Sequence, residues 1–153
     1  VIEILPELPN NVHYLMCGDG QLKEQHERLA KKLHVSDRLH FLGYRKDVIK
    51  IMKSCDIFVF PSKREGLSVA LMEAMACGLP CVVSKIRGNE DLIENEKGGY
   101  CVDLENESFN IYINKILELD LSRSMAAFNY NKVSNYSIKK VNLKMREIYE
   151  RNE

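Results

Sequence analysis

Two carboxylates, Glu65 and Glu73, flank a stretch suited to an anion. Pro61-Ser62-Lys63-Arg64-Glu65-Gly66-Leu67-Ser68-Val69 leaves a strand-like run and enters a helical one. A helix N-terminus exposes backbone N–H groups, and its field adds about 0.3 to 1 kcal/mol for an anion placed there. Gly66 lacks a Cβ, so a ligand can come close to the backbone of Gly66, Leu67, Ser68 and Val69. Phosphate suits this arrangement. Glu73 sits in Val69-Ala70-Leu71-Met72-Glu73-Ala74-Met75-Ala76-Cys77, a helix otherwise apolar all round and expected to be buried on most faces. A carboxylate there needs a partner, because burying it unpaired is costly. A basic side chain and ligand hydroxyls are equally good partners on this reading. Glu65 is either a solvated loop carboxylate beside Arg64 and Lys63 or a ligand contact. At the helical rise the two glutamate backbones lie about 12 Å apart. Glycosidase carboxyl pairs stand about 5 to 9.5 Å apart, so two ends of one extended ligand fit better.

Two further turns offer close approach. Gly18-Asp19-Gly20 lies between a strand and a helix, but Lys23 leaves the dinucleotide fingerprint incomplete, and a lone G-x-G is a weak signal for Gly18. Gly43-Tyr44-Arg45 follows another strand, and Tyr44 and Arg45 could contact a base.

The elements that must hold these loops alternate between β-rich and helical patterns, the mark of a parallel sheet with crossover helices. Strands are expected at Val12 to Cys17, Arg38 to Leu42, Asp56 to Phe60, Cys81 to Ser84 and Tyr100 to Val102. Helices are expected at Gln21 to His34, Asp47 to Cys55 and Leu67 to Cys77, the last stopped by Gly78-Leu79-Pro80. Beyond Asp103 the pattern is helical: Leu104 to Leu119, Ser122 to Lys132 and Ile138 to Arg151. In open α/β sheets, ligands bind beyond the carboxyl ends of the strands, where all three loops fall.

The 153 residues form one ordinary domain, 45% hydrophobic and 29% charged, which excludes low complexity and collagen. Twenty-two basic and 22 acidic side chains cancel, so no global field favours nucleic acid or an anionic membrane. Five scattered cysteines read as reduced, buried thiols of a cytoplasmic protein, and the histidines show no metal-ligand spacing. No apolar run approaches the roughly 20 residues of a membrane span. The chain begins at Val1, and its first residues read as the end of a helix.

Taken together, Pro61-Ser62, Glu65-Gly66, Glu73-Ala74-Met75-Ala76 and Gly78 with Pro80 resemble the two-glutamate signature of retaining GT-B glycosyltransferases, the glycosyl transferases group 1 family, also called family 4. Gly18-Asp19-Gly20, Phe41-Leu42-Gly43, Asp56-Ile57-Phe58-Val59 and Gly98-Gly99 follow in the family's order. The resemblance covers Val1 to Glu153. It implies an α/β fold, the Rossmann-like C-terminal half of a GT-B enzyme, in which residues 1–134 bind a nucleotide sugar and 135–153 form a helix returning to an acceptor domain. It also implies transfer of a sugar from a nucleotide-diphosphate donor with retention, with no cofactor and generally no bound metal. UDP-sugar is expected ahead of GDP-sugar. The acceptor is a glycan or glycolipid, met by an enzyme that is cytoplasmic or peripheral at the membrane.

By the same resemblance Glu65 meets the donor sugar as the catalytic-site carboxylate, Gly66 to Val69 the sugar and diphosphate, and Glu73 the ribose. Tyr44 or Arg45 borders the base. Arg87-Gly88-Asn89-Glu90-Asp91 departs from the family's usual Gly-Gly and Glu pattern. The family's first strand, and an Arg and a Lys on the diphosphate, have no counterpart here. A truncated piece of a larger enzyme is therefore expected, with unpaired edges between the first and third strands and no activity alone. The alternatives are a non-catalytic nucleotide-sugar-binding or assembly subunit, and less well a GT-B phosphorylase or epimerase.

Overall fold

The computed structural model describes residues 1–104, 108–119 and 121–150. Five strands, β1 (Tyr14–Cys17), β2 (Leu39–Gly43), β3 (Phe58–Phe60), β4 (Cys81–Ser84) and β5 (Gly99–Val102), alternate with helices. The helices are α1 (Lys23–Lys32), α2 (Val48–Met52), α3 (Val69–Ala76), α4 (Arg87–Leu92), α5 (Phe109–Glu118), α6 (Ser122–Val133) and α7 (Ile138–Glu150). All strand pairs are parallel, but they form two sheets, β1-β2 and β3-β4-β5. β1 and β3 are not paired with each other, so each is an edge strand of its sheet. This is the break expected between those two strands.

β4 explains the layering. All four residues of Cys81-Val82-Val83-Ser84 are buried, as a parallel strand covered on both faces requires. Val82 joins Tyr100, Val102, Phe109, Ile113, Ile116 and Met125 in one core, which continues to Ile2, Leu5, Leu8, Ala30, Val35 and Leu39. Cys81 and Val83 point the other way, to Met52, Leu71, Ala74, Met75, Leu92 and Ile93. The period-two alternation of a strand places neighbours in different cores. The first core also bridges the two sheets, since Ile57 and Val59 pack against it beside Tyr14 and Met16.

The opening residues form a 3-10 helix, Ile2–Glu7, with Pro6 inside it. Buried Arg38 ties this segment to the start of β2: its Nε donates to the Val12 carbonyl at 2.9 Å, and its Nη2 to those of Pro9 at 2.9 Å and Leu8 at 3.3 Å. Gly78 (φ 75°) ends α3 as a left-handed cap, as read from the sequence. Gly99 is held by backbone contact, because a Cβ there would sit 1.8 Å from the Cys81 carbonyl oxygen.

Some helix positions and the burial of the cysteines depart from expectation. Arg87–Leu92, where no element is expected from the sequence, forms the short helix α4, and α5 begins at Phe109, with residues 105–107 of the expected Leu104 helix outside those described. Cys17 is exposed and only Cys81 is fully buried among the five free thiols. α7 has no buried residue; Ile138, Val141, Leu143, Met145, Ile148 and Tyr149 all face solvent, and Arg151 lies outside the described residues. No helix among the described residues is long and apolar enough to cross a membrane.

Candidate functional site

α3 begins as its sequence demands. Ser68 is the N-cap, extended at φ −75° and ψ 118°, and its Oγ accepts from the Leu71 N–H at 3.4 Å. The first intrahelical bond runs from the Met72 N–H to the Ser68 carbonyl. Among the described residues, the N–H groups of Gly66, Leu67, Val69 and Ala70 therefore meet no protein acceptor. Gly66, Leu67 and Val69 are exposed, the last at 63%, while Ser68 is buried beneath them. This is an open helix N-terminus with an apolar rim.

Glu65 stands at its mouth, partly buried. Its Oε1 accepts a hydrogen bond of 2.6 Å from Ser62 Oγ. No ion pair with Lys63 or Arg64 is formed among the described residues, which removes the solvated-pair reading. Ser62 is held in turn: Ser84 Oγ, at the end of β4, donates to its carbonyl oxygen. Asn89 Nδ2, in α4, donates to the Ser84 carbonyl at 2.9 Å and to Ser84 Oγ at 3.2 Å. Ser84 and Asn89 are both wholly buried. Gly88, beside Asn89, lies against the loop itself, since a Cβ there would come within 1.8 Å of the Gly66 carbonyl oxygen and 3.0 Å of that of Glu65.

Glu73 is a correction. The apolar sequence around it suggested a helix buried on most faces, yet α3 buries only the stripe Leu71, Ala74 and Met75. Val69 and Ala76 are exposed and Glu73 is half-buried between them, one turn along from Val69. No hydrogen bond or ion pair meets its carboxylate among the described residues. The reason is tertiary: α2, α4, α6 and β4 pack against α3, burying Leu71, Ala74 and Met75, and among the described residues Val69 and Ala76 stay exposed. A buried pair with Lys or Arg is thereby ruled out, and the acceptor capacity stays available.

The loops after β1 and β2 are locked together separately. The Gly18 N–H donates to the Gly43 carbonyl at 2.8 Å, and the Tyr44 N–H to Asp19 Oδ2 at 3.1 Å. Tyr44 is left 75% exposed. Arg45 is engaged by Asp47, with Nε and Nη2 donating to its two carboxylate oxygens at 2.9 and 2.8 Å. That hydrogen bonding holds the Asp47 carboxyl below its ordinary range. Of the two residues expected at the base, Tyr44 presents a free side chain. No hydrogen bond or ion pair among the described residues joins these loops to the Glu65 loop.

Sequence reasoning missed Ser84, Gly88 and Asn89. Gly88-Asn89 stood in a stretch that departs from the family pattern, and its position directly after a buried strand was the available signal. Lys63, Arg64, Lys85 and Arg87 add four exposed cations, in the loops after β3 and β4 and at the first residue of α4, none with an ion-pair partner among the described residues. A concavity of about 430 Å³ lined by Val1, Ile2, Glu3, Gln25, His26 and Leu29 contains none of these residues.

Comparison with known proteins places the geometry. Residues 1–133 match the family described as glycosyl transferases group 1. A UDP-Gal:alpha-D-GlcNAc-diphosphoundecaprenol alpha-1,3-galactosyltransferase of Escherichia coli is 33% identical over 145 residues, covering 93% of this chain and 37% of its own length. The structure of HepE from Anabaena in complex with UDP-glucose superposes with a TM-score of 0.87 at 27% identity, over 97% of this chain and 43% of HepE. WaaG, a glycosyltransferase involved in lipopolysaccharide biosynthesis, superposes at 0.80 with 26% identity, over 96% of this chain and 41% of its own. The chain thus spans less than half the length of these relatives.

Proposed function

Because the chain belongs to the glycosyl transferases group 1 family and has its Rossmann-like GT-B fold, we propose that it is the donor-binding half of a retaining glycosyltransferase that uses a UDP-sugar. The observation that carries this reading is the open N-terminus of α3, whose acceptor-free N–H groups lie directly beside a carboxylate oriented by Ser62. A diphosphate fits the N–H groups and the helix field, and Lys63, Arg64, Lys85 and Arg87 add positive charge in the flanking segments.

Glu65, the catalytic-site carboxylate of this proposal, accepts hydrogen bonds from donor-sugar hydroxyls. Glu73, half-buried and unpartnered, accepts from the ribose hydroxyls, and exposed Leu67 and Val69 supply apolar contact. Tyr44 borders the base. Preorganised donors aimed at a departing diphosphate are worth roughly 2.7 to 4 kcal/mol each in enzymes where single groups have been removed. Gly66 to Val69 fit that role because the N–H groups of Gly66, Leu67 and Val69 meet no protein acceptor among the described residues.

UDP is favoured by the relatives, since HepE is seen with UDP and with UDP-glucose. The acceptor, a glycan or glycolipid, is met by a second domain, and the unpaired β1 and β3 are the edges at which a strand joining the two sheets would pair. The proposed enzyme is cytoplasmic or peripheral at the membrane, a reading supported by its likeness to a galactosyltransferase named for a diphosphoundecaprenol acceptor. Saturation-transfer NMR of the chain with UDP-glucose tests the reading: transfer to both ribose and glucose protons is expected, and none to either rejects it.

A further inference from the structure

The three side chains behind Glu65 form a hydrogen-bond chain with one direction. Nδ2 of Asn89 donates to Ser84 Oγ, Ser84 Oγ donates to the Ser62 carbonyl, and Ser62 Oγ donates to Glu65 Oε1. The orientation of the Asn89 amide is set independently, because the Ser84 carbonyl beside it can only accept and so must face the NH2 group, at 2.9 Å. Were the amide reversed, Ser84 would donate to it and release Ser62. The direction thus follows from donor and acceptor chemistry.

Stability alone does not account for these residues. Asn89 is 0% exposed, and its Oδ1 is buried without a partner. A half-satisfied buried amide is worse for folding than an apolar side chain of similar size. Beside it, Gly88 touches the loop backbone so closely that its missing Cβ would overlap the Gly66 carbonyl. The first turn of α4 therefore meets the Glu65 loop twice, by direct backbone packing and by the polar chain through β4.

We infer that Asn89, Ser84 and Ser62 are positioning residues that set the direction of the Glu65 carboxylate, separately from the backbone packing of Gly88 on Gly66. The inference rests on Glu65 as the donor-sugar ligand. It locates control of sugar recognition in a buried cluster that touches no ligand itself. Ribose and diphosphate contacts, through Glu73 and the N–H groups of α3, lie outside the chain. Loosening it weakens the sugar end of the donor selectively.

Calorimetry on the 153-residue chain with UDP-glucose and with UDP, for wild type, Ser84→Ala, Ser84→Thr and Ser62→Ala, separates the roles. Ser84→Ala and Ser62→Ala are expected to weaken UDP-glucose roughly tenfold, the scale of one hydrogen bond to a charged group, and to leave UDP within about twofold. Ser84→Thr, which keeps the hydroxyl, restores UDP-glucose binding. Equal losses for UDP and UDP-glucose, or no loss for either, overturn the inference. The ¹³C resonance of the Glu65 side-chain carboxyl provides a readout that needs no ligand. It moves in Ser84→Ala if the chain positions Glu65, and an unmoved resonance overturns the inference. Should wild type bind neither compound, the donor-site reading fails while this resonance still decides whether Ser84 acts on Glu65. Ser62→Ala, outside the fully buried cluster, keeps the test sound should Ser84→Ala fail to fold.

Discussion

Replacing Glu73 with Ala separates binding from folding. Its side chain is half-buried on α3 and makes no hydrogen bond or ion pair among the described residues. Removing it deletes no internal bond, and Ala is the better helix former, so stability should change by no more than about 0.5 kcal/mol. If the carboxylate accepts from ribose, the loss on binding is different in scale. A single hydrogen bond to a charged group is worth about 1.5 to 3 kcal/mol, and each 1.4 kcal/mol is about tenfold in Kd. The expected loss in UDP affinity is therefore roughly ten- to 150-fold with an unchanged melting midpoint. Calorimetry with UDP, paired with thermal unfolding followed by circular dichroism, reads both. Equal UDP binding by wild type and Glu73→Ala would refute the ribose assignment. A large fall in stability would show instead that the carboxylate has a partner within the fold.

Other perturbations test the scaffold. Asn129→Ala removes donors to the Leu79 carbonyl at 2.8 Å and the Gly98 carbonyl at 2.6 Å inside the protein, and chemical denaturation should show a loss of about 1 to 3 kcal/mol. Arg38→Met removes three hydrogen bonds and leaves the Leu8 and Val12 carbonyls without a donor among the described residues, while Pro9 keeps the Val12 N–H; it should lower the denaturation midpoint by a comparable amount, with the segment before β1 and the start of β2 losing hydrogen-exchange protection first. Burial pushes the Cys101 thiol from 9.0 up to about 11, so the folded state holds that proton longer than the unfolded chain does. Its contribution to stability is complete below pH 9.0 and is lost as pH rises towards about 11; because burial raises the Cys55, Cys77 and Cys81 thiols as well, unfolding curves across that window should fall for wild type and fall less steeply for Cys101→Ala. At neutral pH a small alkylating reagent should modify exposed Cys17 well before Cys81, whose side chain is wholly buried, and mass spectrometry of peptides reports the order.

Much of the fold was legible because local rules generate it. The five strands fall where β-rich runs predicted them, with ends shifted by at most two residues, and Gly78 ends α3 where a left-handed cap was expected. Strand pattern, helix start and glycine placement depend on neighbours close in the chain. α4 escaped that reading because it has only six residues, one of them Gly88, too few to show a helical period.

Within the candidate site, sequence alone determined the loop, its glycine, the N-cap Ser68 and the two glutamates, since those depend on residue type and short spacing. It could not determine which face of α3 would be covered. An apolar helix looks the same in sequence whether packed on one side or all round, and only the tertiary packing of α3 left Glu73 half-buried and without a partner among the described residues. Nor could it join Ser84 to Ser62 across 22 residues, or set Gly88 against Gly66. Those contacts exist because parallel pairing of β3 with β4 brings the loops after both strands to one edge, and no local pattern in the chain encodes that proximity.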